Sequence, residues 1–548
     1  MRSLFTNDKW VYGLAGALLL PALFFNLDLM PLNADDGLRG LVALEMVYAD
    51  EYLVPSNNGD LYYRKPPIFN WFIVLAHQLT GSFSNFTIRF PVGVSLLLFG
   101  ATIVAFLRNT IGWRNAALVA LLTMTSGHIL FESSRVGRID ITYSWMIYTG
   151  FMVVYHYFRK GNWWGLFLVS YAVAALGFLT KGMPTVVFQG ATLIAWLSIS
   201  GHFKRLFSWQ HLAGGVLFLI VVGSYYGIYE QRNPGGVVKL ISALWTDSNE
   251  RTVAHFSLGK TLGHIAVFPL KLLYEISPWC LLVIAWVRKG WGKQVRQQPL
   301  LWFSAVIFLA NILIYWISPG SNTRYILMFF PLVALYLVWF YRMPAFQLPA
   351  RNSIIDRIFQ GLLVLLVAGV WWFAISDEFA LAPHRLLWCA VLSLGFAGLA
   401  FLFYKMPRSR LVLMVCAVLL ARISYNAMVR PVLDQTSRGV VFRDGAEEAA
   451  DLSMGQELKV YGKASIFPEI TIYFSRQREE ILFRQRKNID NNGTLYLIDQ
   501  DQKARLEAAR VTWTEKFQFA MSKHVDLYMV QFHNHPEALV GDGIDAVP

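Results

Sequence analysis

Long apolar runs recur along most of this chain, and no other feature constrains its fold so strongly. About thirteen of them are long enough, or nearly so, to cross the hydrocarbon core of a bilayer. They lie at roughly residues 11–30, 91–107, 115–131, 141–158, 164–180, 184–200, 211–229, 267–287, 300–317, 325–341, 358–375, 385–404 and 411–428. The pattern predicts a mostly α-helical, polytopic membrane protein with about 13 transmembrane helices.

The composition supports this class and excludes two others. Only 15% of the 548 residues are charged, whereas about 25% is usual in soluble domains. A soluble fold needs more charge to cover its surface, and a disordered chain would not be 55% hydrophobic. The cysteines Cys280, Cys389 and Cys416 lie in apolar runs, which predicts neither a disulfide framework nor a thiolate metal cluster.

The hinges between the runs alternate in charge, which predicts the topology. One set is basic and holds Arg2, Lys9, Arg108, Arg114, Arg159, Lys160, Lys204, Arg205, Arg288, Lys289, Lys293, Arg296, Arg342, Arg351, Arg357, Lys405, Arg408 and Arg410. The other set, at 32–90, 132–140, 230–266 and 318–324, holds most of the acidic residues. By the positive-inside rule, the N-terminus is cytoplasmic and the C-terminal part is extracytoplasmic. The first run contains Pro21 and lacks a small-residue cleavage site, which is typical of a retained anchor.

The last 119 residues differ from the rest and are predicted to form a domain. They hold 15 basic and 18 acidic residues, whereas the preceding part holds 33 and 17. The basic residues of that part lie in short hinges, which indicates membrane topology and no nucleic-acid partner. We therefore predict a transmembrane domain at 1–428 and a small α/β domain at 429–548. The predicted strands of the α/β domain are 458–461, 470–474 and 494–498, and its predicted helices are 443–452 and 502–509. His533 and His535 are expected at its surface.

The first outer loop, residues 32–90, carries the most informative chemistry. It begins with Asp35, Asp36 and Arg39, continues with Glu45, and contains Tyr62-Tyr63-Arg64-Lys65-Pro66-Pro67. The segments 41–48 and 68–79 have the composition of helices that lie in the membrane interface. Carboxylates can act as general bases, and neighbouring arginine and lysine side chains can hold a phosphate group. The alternative is an ordinary charged loop whose acids face solvent.

Four further polar clusters are predicted on the same side. They contain Arg138 and Asp140, then Lys181, then Arg324 and Tyr325, and finally Glu250, Arg251 and His255. Each has a structural alternative: Arg138 can pair with Asp140, Lys181 can reach the lipid interface, and Arg324 with Tyr325 can anchor a helix there. Their common position on one side favours a shared function.

Five motifs follow one another along the chain: an acidic pair near the first span, Lys-Pro-Pro after a tyrosine-rich step, Arg-x-Asp at the outer end of the fourth span, Lys-Gly-x-Pro, and a tyrosine that opens the tenth span. This ordered set resembles the motifs of bacterial membrane glycosyltransferases. The nearest group is the aminoarabinose lipid A transferase and protein O-mannosyltransferase superfamily, which has the C-type glycosyltransferase fold, and the resemblance covers about residues 10–340. It implies that Asp35 is the catalytic or acceptor-orienting carboxylate and that Asp36 is its acidic neighbour. It also implies that Lys65 contacts the donor phosphate, and it assigns functional positions to Asp140 and Tyr325. The predicted catalytic residues are therefore Asp35, Asp36 and Asp140.

Two positions depart from the family pattern. Leu38 stands where the family commonly has arginine, and Arg39 is displaced by one residue. Arg64 stands where the aminoarabinose transferases have a metal-binding glutamate. Because a cation at this position would repel a divalent ion, we expect no metal or other cofactor to be required. The remaining candidate ligands, Asp36, Glu45, Glu250 and His255, are scattered through two loops, and their spacing neither supports nor excludes a metal site. Arg64 is then available as a second positive contact to the phosphate.

The expected function is that of a glycosyltransferase in a bacterial inner membrane. The resemblance implies a polyprenyl-phosphate sugar donor and an inverting single displacement on the extracytoplasmic face, with a lipid A-like, protein or glycan acceptor. Tyr63, Arg64, Lys65, Arg138, Lys181, Arg324 and Tyr325 form the predicted phosphate-binding set, and Arg39, Glu45, Glu250, Arg251 and His255 are further candidates. The rival class is a transporter or flippase of lipid-linked sugars. Transporters place ionisable residues near the bilayer midplane, whereas these cluster at one face.

Overall fold

A computed structural model describes residues 8–252, 258–286, 291–342, 349–486, 493–520 and 526–533. The chain forms two compact units. One, here called the membrane unit, comprises Met1–Leu27, Tyr63–Phe69 and Arg89–Val432. The other, here called the loop–tail unit, comprises Asp28–Tyr62, Asn70–Ile88 and Leu433–Pro548. The first outer loop is therefore divided between the two units, and most of it belongs with the C-terminal part.

The apolar runs of the membrane unit form helices, as predicted. The α-helices are Lys9–Phe24, Asn85–Ile111, Trp113–Met124, Asp140–Arg159, Trp163–Lys181, Pro184–Ile199, Trp209–Arg232, Gly236–Thr252, Leu258–Glu275, Val283–Trp286, Trp291–Gln297, Pro299–Ile317, Phe330–Arg342, Pro349–Gly369, Trp372–Ile375, Arg385–Lys405, Arg410–Ser424 and Arg430–Thr436. Asn85–Ile111 begins in the loop–tail unit, and Arg430–Thr436 ends there. Short 3₁₀ or π segments extend several of these helices, including His128–Glu132, Ser133–Arg135, Trp279–Leu282, Thr323–Phe329 and Tyr425–Val429.

Fewer helices than expected have the length and composition of a membrane span. Among the described residues, eight helices qualify, or up to ten if two bent pairs each count as one span. One pair bends by 53° between Met124 and His128, and the other bends by 107° between Glu275 and Trp279. Lys9–Phe24 and Pro184–Ile199 are apolar but are not among these eight, because they have only 16 residues each. Asp140–Arg159 is long enough, but its serine, threonine and tyrosine residues make it less apolar.

Two charged residues of the membrane unit lie at helix termini. Asp140 lies in the first turn of its helix, and Lys181 lies in the last turn of Trp163–Lys181. Negative charge is favoured at a helix N-terminus and positive charge at a C-terminus. Gly182 ends the second helix with φ of 86°, a left-handed conformation that glycine adopts without strain. Both charges are thus stabilised by the helices that carry them.

The loop–tail unit begins with a helix that carries the acidic pair. This helix, Ala34–Tyr48, is longer than the predicted segment 41–48. The Asn33 side chain caps it by accepting hydrogen bonds from the backbone N–H groups of Asp35 and Asp36, at 3.2 and 3.3 Å. A two-stranded antiparallel hairpin, Ser56–Asn57 with Asp60–Leu61, and the helix Ile68–Thr80 follow in the sequence.

The C-terminal part is a mixed α/β fold, as predicted. Its five strands have the spatial order Arg484–Gln485, Leu458–Tyr461, Leu495–Asp499, Asp526–Phe532 and Trp513–Ala520. Leu458–Tyr461 pairs in parallel with Arg484–Gln485 and with Leu495–Asp499. Asp526–Phe532 pairs antiparallel with Leu495–Asp499 on one side and with Trp513–Ala520 on the other. The helices are Arg438–Leu452, Pro468–Arg478 and Gln500–Ala508. The strand prediction for 470–474 was wrong: Pro468 starts a helix there, and Ile470, Ile472, Tyr473 and Phe474 are buried in it.

Candidate functional site

Three charged side chains meet at the centre of the membrane unit's polar cluster. Lys181 Nζ donates to Asp140 Oδ1 at 2.6 Å, and Arg324 Nε lies 4.0 Å from Asp140 Oδ2. The side chains of Asp140 and Lys181 are each 7% exposed, whereas Arg324 is half-buried. The structure therefore brings together three residues that are far apart in the sequence. Here Asp140 pairs with Lys181 and Arg324, whereas the alternative considered from the sequence was Arg138.

Two tyrosine rings surround these cations. Lys181 Nζ lies 4.4 Å from the centre of the Tyr325 ring and 5.0 Å from that of Tyr143. The Arg324 guanidinium lies 5.4 Å from the Tyr325 ring. Such cation–π contacts stabilise partly desolvated cations. The three charged groups together carry a net charge of about +1, because one carboxylate faces two cations. An additional negative group is therefore favoured beside them.

The segment Tyr63–Lys65 also belongs to the membrane unit. Lys65 is 9% exposed, and the following Pro66 and Pro67 are buried too. Tyr63 accepts a long hydrogen bond of 3.5 Å from Asn233 Nδ2, whereas the Arg64 side chain is exposed. The two prolines fix the backbone after Lys65 and restrict its conformation.

A second polar group in this unit was missed from the sequence. His128 Nδ1 lies 2.8 Å from Glu275 Oε2 and 3.3 Å from Glu132 Oε2, and Glu132 Oε1 lies 3.8 Å from Arg138. His128 and Glu275 stand at the breaks of the two bent helix pairs. The Gly127 N–H donates to Ser277 O at 2.7 Å and joins these breaks. His128 and Glu275 did not stand out in the sequence, because each is a single polar residue at the edge of an apolar run.

The loop–tail unit holds the acidic pair beside a third carboxylate. Asp36 is buried and Asp35 is half-buried, both in the first turn of Ala34–Tyr48. A β-carbon placed on Gly37 would lie 2.3 Å from Glu469 Cα, so the two helices are in close contact there. Burial, and to a lesser degree the charge of Asp35, raises the pKa of Glu469. No sequence motif pointed to Glu469, because it lies far from the first outer loop, in the C-terminal domain.

Two of the further candidates have structural partners in this unit. Glu45 is buried and accepts hydrogen bonds from Ser56 Oγ and the backbone N–H of Asn58, both at 2.6 Å, and from the Gly59 N–H at 3.2 Å. Burial raises the pKa of Glu45, and these hydrogen bonds oppose the shift. Arg39 is 6% exposed and donates to the Tyr62 hydroxyl at 2.5 Å. The contacts of Glu45 account for the hairpin geometry, so we assign it a structural role.

Glu250 and Arg251 lie in the helix Gly236–Thr252, but their side chains are not described, and His255 lies outside the described residues. Within the described residues, no group of three or more His, Cys, Asp or Glu side chains is arranged to hold a metal ion. His533 bonds to Thr514 Oγ1 at 2.6 Å, and His535 lies outside the described residues.

Comparison with known proteins identifies a family. Residues 64–226 match the dolichyl-phosphate-mannose-protein mannosyltransferase family, and this segment includes Lys65, Asp140 and Lys181. An undecaprenyl phosphate-alpha-4-amino-4-deoxy-L-arabinose arabinosyl transferase of Aeromonas hydrophila is 25% identical over 487 residues, which is 83% of this chain and 84% of that protein. The crystal structure of ArnT from Cupriavidus metallidurans bound to undecaprenyl phosphate has the same fold. The TM-score is 0.68 at 16% identity, over 95% of this chain and 98% of that one.

This chain is similar to the aminoarabinose transferase and protein mannosyltransferase superfamily, and the resemblance seen in the sequence motifs is therefore confirmed. The comparisons, together with the apolar helices, support a membrane glycosyltransferase that is a multi-pass protein of a bacterial inner membrane. An uncharacterized protein of Aquifex aeolicus is a further relative, with 21% identity over 82% of each chain. The shared fold extends beyond residue 340, since the structural match spans almost the whole chain.

Proposed function

We propose that this protein transfers a sugar from a polyprenyl-phosphate donor to a hydroxyl group of a lipid A-like acceptor on the extracytoplasmic face of the membrane. The observation that carries this proposal is the cluster of Asp140, Lys181 and Arg324, in which two cations share one buried carboxylate. The relatives named as undecaprenyl-phosphate aminoarabinose transferases support the donor class. The basic hinges support the face, because they predict that the clusters lie outside.

The proposed reaction is a single displacement at the anomeric carbon. The acceptor oxygen forms a bond to that carbon while the bond from the carbon to the phosphate oxygen breaks. The phosphate leaves with the bonding electron pair, and the acceptor proton passes to a carboxylate. The developing charge lies on the phosphate, so fixed cations beside it lower the barrier.

Each residue has a proposed role in this reaction. Lys181 and Arg324 attract the phosphate, and Asp140 holds them in position, since it contacts both. Lys65 makes a further contact to the phosphate, as the superfamily pattern implies. Asp35 orients or deprotonates the acceptor, with Asp36 beside it. Tyr325 and Tyr63 shape the same site, while Arg64 and Arg138 contribute positive charge at its edge.

The test is a reconstituted transfer assay. Full-length protein in liposomes receives a polyprenyl-phosphate sugar that is labelled in the sugar, together with lipid A, a hydroxyl-containing peptide or a glycan. We expect label on lipid A and release of free polyprenyl phosphate. Asp140→Asn should lower turnover at least about 10²-fold, because Lys181 and Arg324 lose the carboxylate that positions them beside the developing charge. The matched control is Asp377→Asn, because Asp377 is an exposed aspartate in a short 3₁₀ segment.

Two outcomes contradict the proposal. Label on the peptide or glycan alone would show that the acceptor class is wrong. Movement of the intact labelled lipid across the bilayer, without release of polyprenyl phosphate, would identify a transporter instead.

A further inference from the structure

Four arginine side chains of the membrane unit lie together around the end of its first helix. Arg89, Arg422 and Arg430 are 3%, 0% and 1% exposed, and Arg135 is half-buried. Arg430 interacts electrostatically with the other three, and Arg422 also interacts with Arg135. Like charges repel strongly where water is excluded, so this arrangement needs a compensating group.

The helix end compensates only a small part of this charge. Leu27 O accepts hydrogen bonds from Arg89 Nη1 and Arg430 Nη2, both at 3.1 Å, and Ala22 O accepts one from Arg422 Nε at 3.2 Å. These contacts satisfy carbonyl groups at the end of Lys9–Phe24. The C-terminal end of a helix carries only about half an elementary negative charge. This half charge is smaller than the positive charge of the Arg422 guanidinium alone.

The need for a counter-charge is clearest at Arg422 and Arg135. Arg422 Nη1 and Nη2 are buried without a hydrogen-bond partner, and the guanidinium lies 5.9 Å from the centre of the Phe131 ring and 5.3 Å from that of the Tyr425 ring. Arg135 donates to the Tyr425 hydroxyl at 2.6 Å. Among the described residues, no carboxylate pairs with either arginine. A buried charge without a counter-charge is strongly destabilising, whereas a charge-assisted hydrogen bond to an anion offsets that cost.

The backbone beside this cluster is unusual in a second way. His128–Glu132 and Tyr425–Val429 are both π-helical, and the rings of Phe131 and Tyr425 meet edge to face at 6.5 Å. Such π-helical turns are rare and occur often at functional sites. Arg135 follows the first π segment, while Arg422 and Arg430 flank the second. The two irregular turns thus bring the arginines and the aromatic rings together.

We propose that Arg89, Arg135, Arg422 and Arg430 form a binding site for a phosphate group, separate from the residues assigned to sugar transfer. The planar guanidinium groups suit phosphate oxygens, and Arg422 presents two terminal nitrogen atoms for a bidentate contact. Arg135 is the most exposed of the four, so the phosphate enters beside it. The ligand is the phosphate of a membrane lipid or free phosphate, and neither alternative depends on the proposed transfer reaction.

The experiment measures thermal unfolding of the purified full-length protein after removal of bound lipid. The probes are dioleoyl phosphatidic acid, dioleoylglycerol and inorganic phosphate. We expect phosphatidic acid to raise Tm by about 3 °C or more at saturation, because a ligand of the folded state stabilises it. Arg422→Gln should weaken the apparent affinity at least about 10-fold, as expected for losing a charge-assisted hydrogen bond. Arg232→Gln is the matched control, since Arg232 is exposed in the same unit and should respond like the wild type.

Comparison of the probes identifies the source of the phosphate. A response to phosphatidic acid at much lower concentrations than to inorganic phosphate supports a lipid headgroup, and equal responses support free phosphate. Arg135→Gln provides a second test if Arg422→Gln does not fold, because it leaves the Arg422 contact with the first helix intact. Identical responses of the wild type and the folded variants would overturn the proposal. An equal response to dioleoylglycerol would overturn it too, because that lipid has no phosphate.

Discussion

At the scale of single residues, Asp140 is predicted to contribute both to stability and to transfer, the latter by positioning Lys181 and Arg324. Two variants can separate the two contributions. Asp140→Asn should destabilise the protein by about 3 kcal/mol, because Lys181 and Arg324 lose their counter-charge. The second variant, Asp140→Asn with Lys181→Met, removes a cation as well. It should recover much of the Tm but none of the activity. Thermal unfolding and the transfer assay measure the two effects. Recovery of activity in the double variant would contradict a role for either charge in transfer.

Glu469 leads to a prediction about pH. Its folded-state pKa is raised by burial, so ionisation costs more in the folded protein than in the unfolded chain. This free-energy cost is absent at pH values below the pKa that Glu469 has in the unfolded chain. It develops as the pH rises above that pKa and is complete above the raised pKa of the folded protein. Glu469→Gln should therefore raise Tm at pH 7 by about 1 °C or more and leave it unchanged near pH 4. A variant with a lower Tm at pH 7 would show that the carboxylate is favourable there.

Arg64 leads to a prediction about metal dependence. A cation stands where the aminoarabinose transferases have a metal-binding glutamate, and it would repel a divalent ion. We expect turnover to be unaffected by a strong chelator and to be abolished by Arg64→Glu. Loss of activity in chelator, with recovery on added metal, would contradict the prediction. It would show that other residues hold the ion.

At the scale of elements, the helices were more predictable than their interruptions. Apolar length alone indicated where the helices lie, because burial of apolar surface in lipid dominates there. The breaks beside His128 and Glu275 depend on packing against each other and leave no local signal. The segment Ile470–Phe474 has the composition of a strand, yet it is helical, because burial in this position outweighs intrinsic strand preference. Pairings such as Lys181 with Asp140, 41 residues apart, were likewise not predictable from spacing.

The contact between the helices Ala34–Tyr48 and Pro468–Arg478 can be tested at Gly37. A β-carbon there would lie 2.3 Å from Glu469 Cα and 2.5 Å from its backbone N, and a backbone atom cannot turn aside as a side chain can. Gly37→Ala should destabilise the protein by about 1–3 kcal/mol or more, as overpacking does. Gly13→Ala is the matched control, since nothing lies within 4 Å of its β-carbon position. Equal Tm values for both variants would show that the helices separate readily.

At the scale of the whole molecule, the topology determines which sugar donors can reach the candidate site. The basic hinges predict a cytoplasmic N-terminus and an extracytoplasmic C-terminal domain. The net charge of that domain is −3, so it adds no cationic signal for retention in the cytoplasm. An outside site cannot use cytosolic nucleotide sugars, which is why the proposed donor is lipid-linked.

Reporter fusions test this arrangement directly. Alkaline phosphatase fused after Pro548 should be active, because it folds only outside the cytoplasm, and a cytoplasmic fluorescent reporter at the same position should be dark. A matched pair of fusions after Arg205, in a hinge predicted to be cytoplasmic, should give the opposite result. Activity of the phosphatase at Arg205 but not at Pro548 would reverse the predicted orientation. The acidic loop would then face the cytoplasm, and nucleotide sugars would become available as donors.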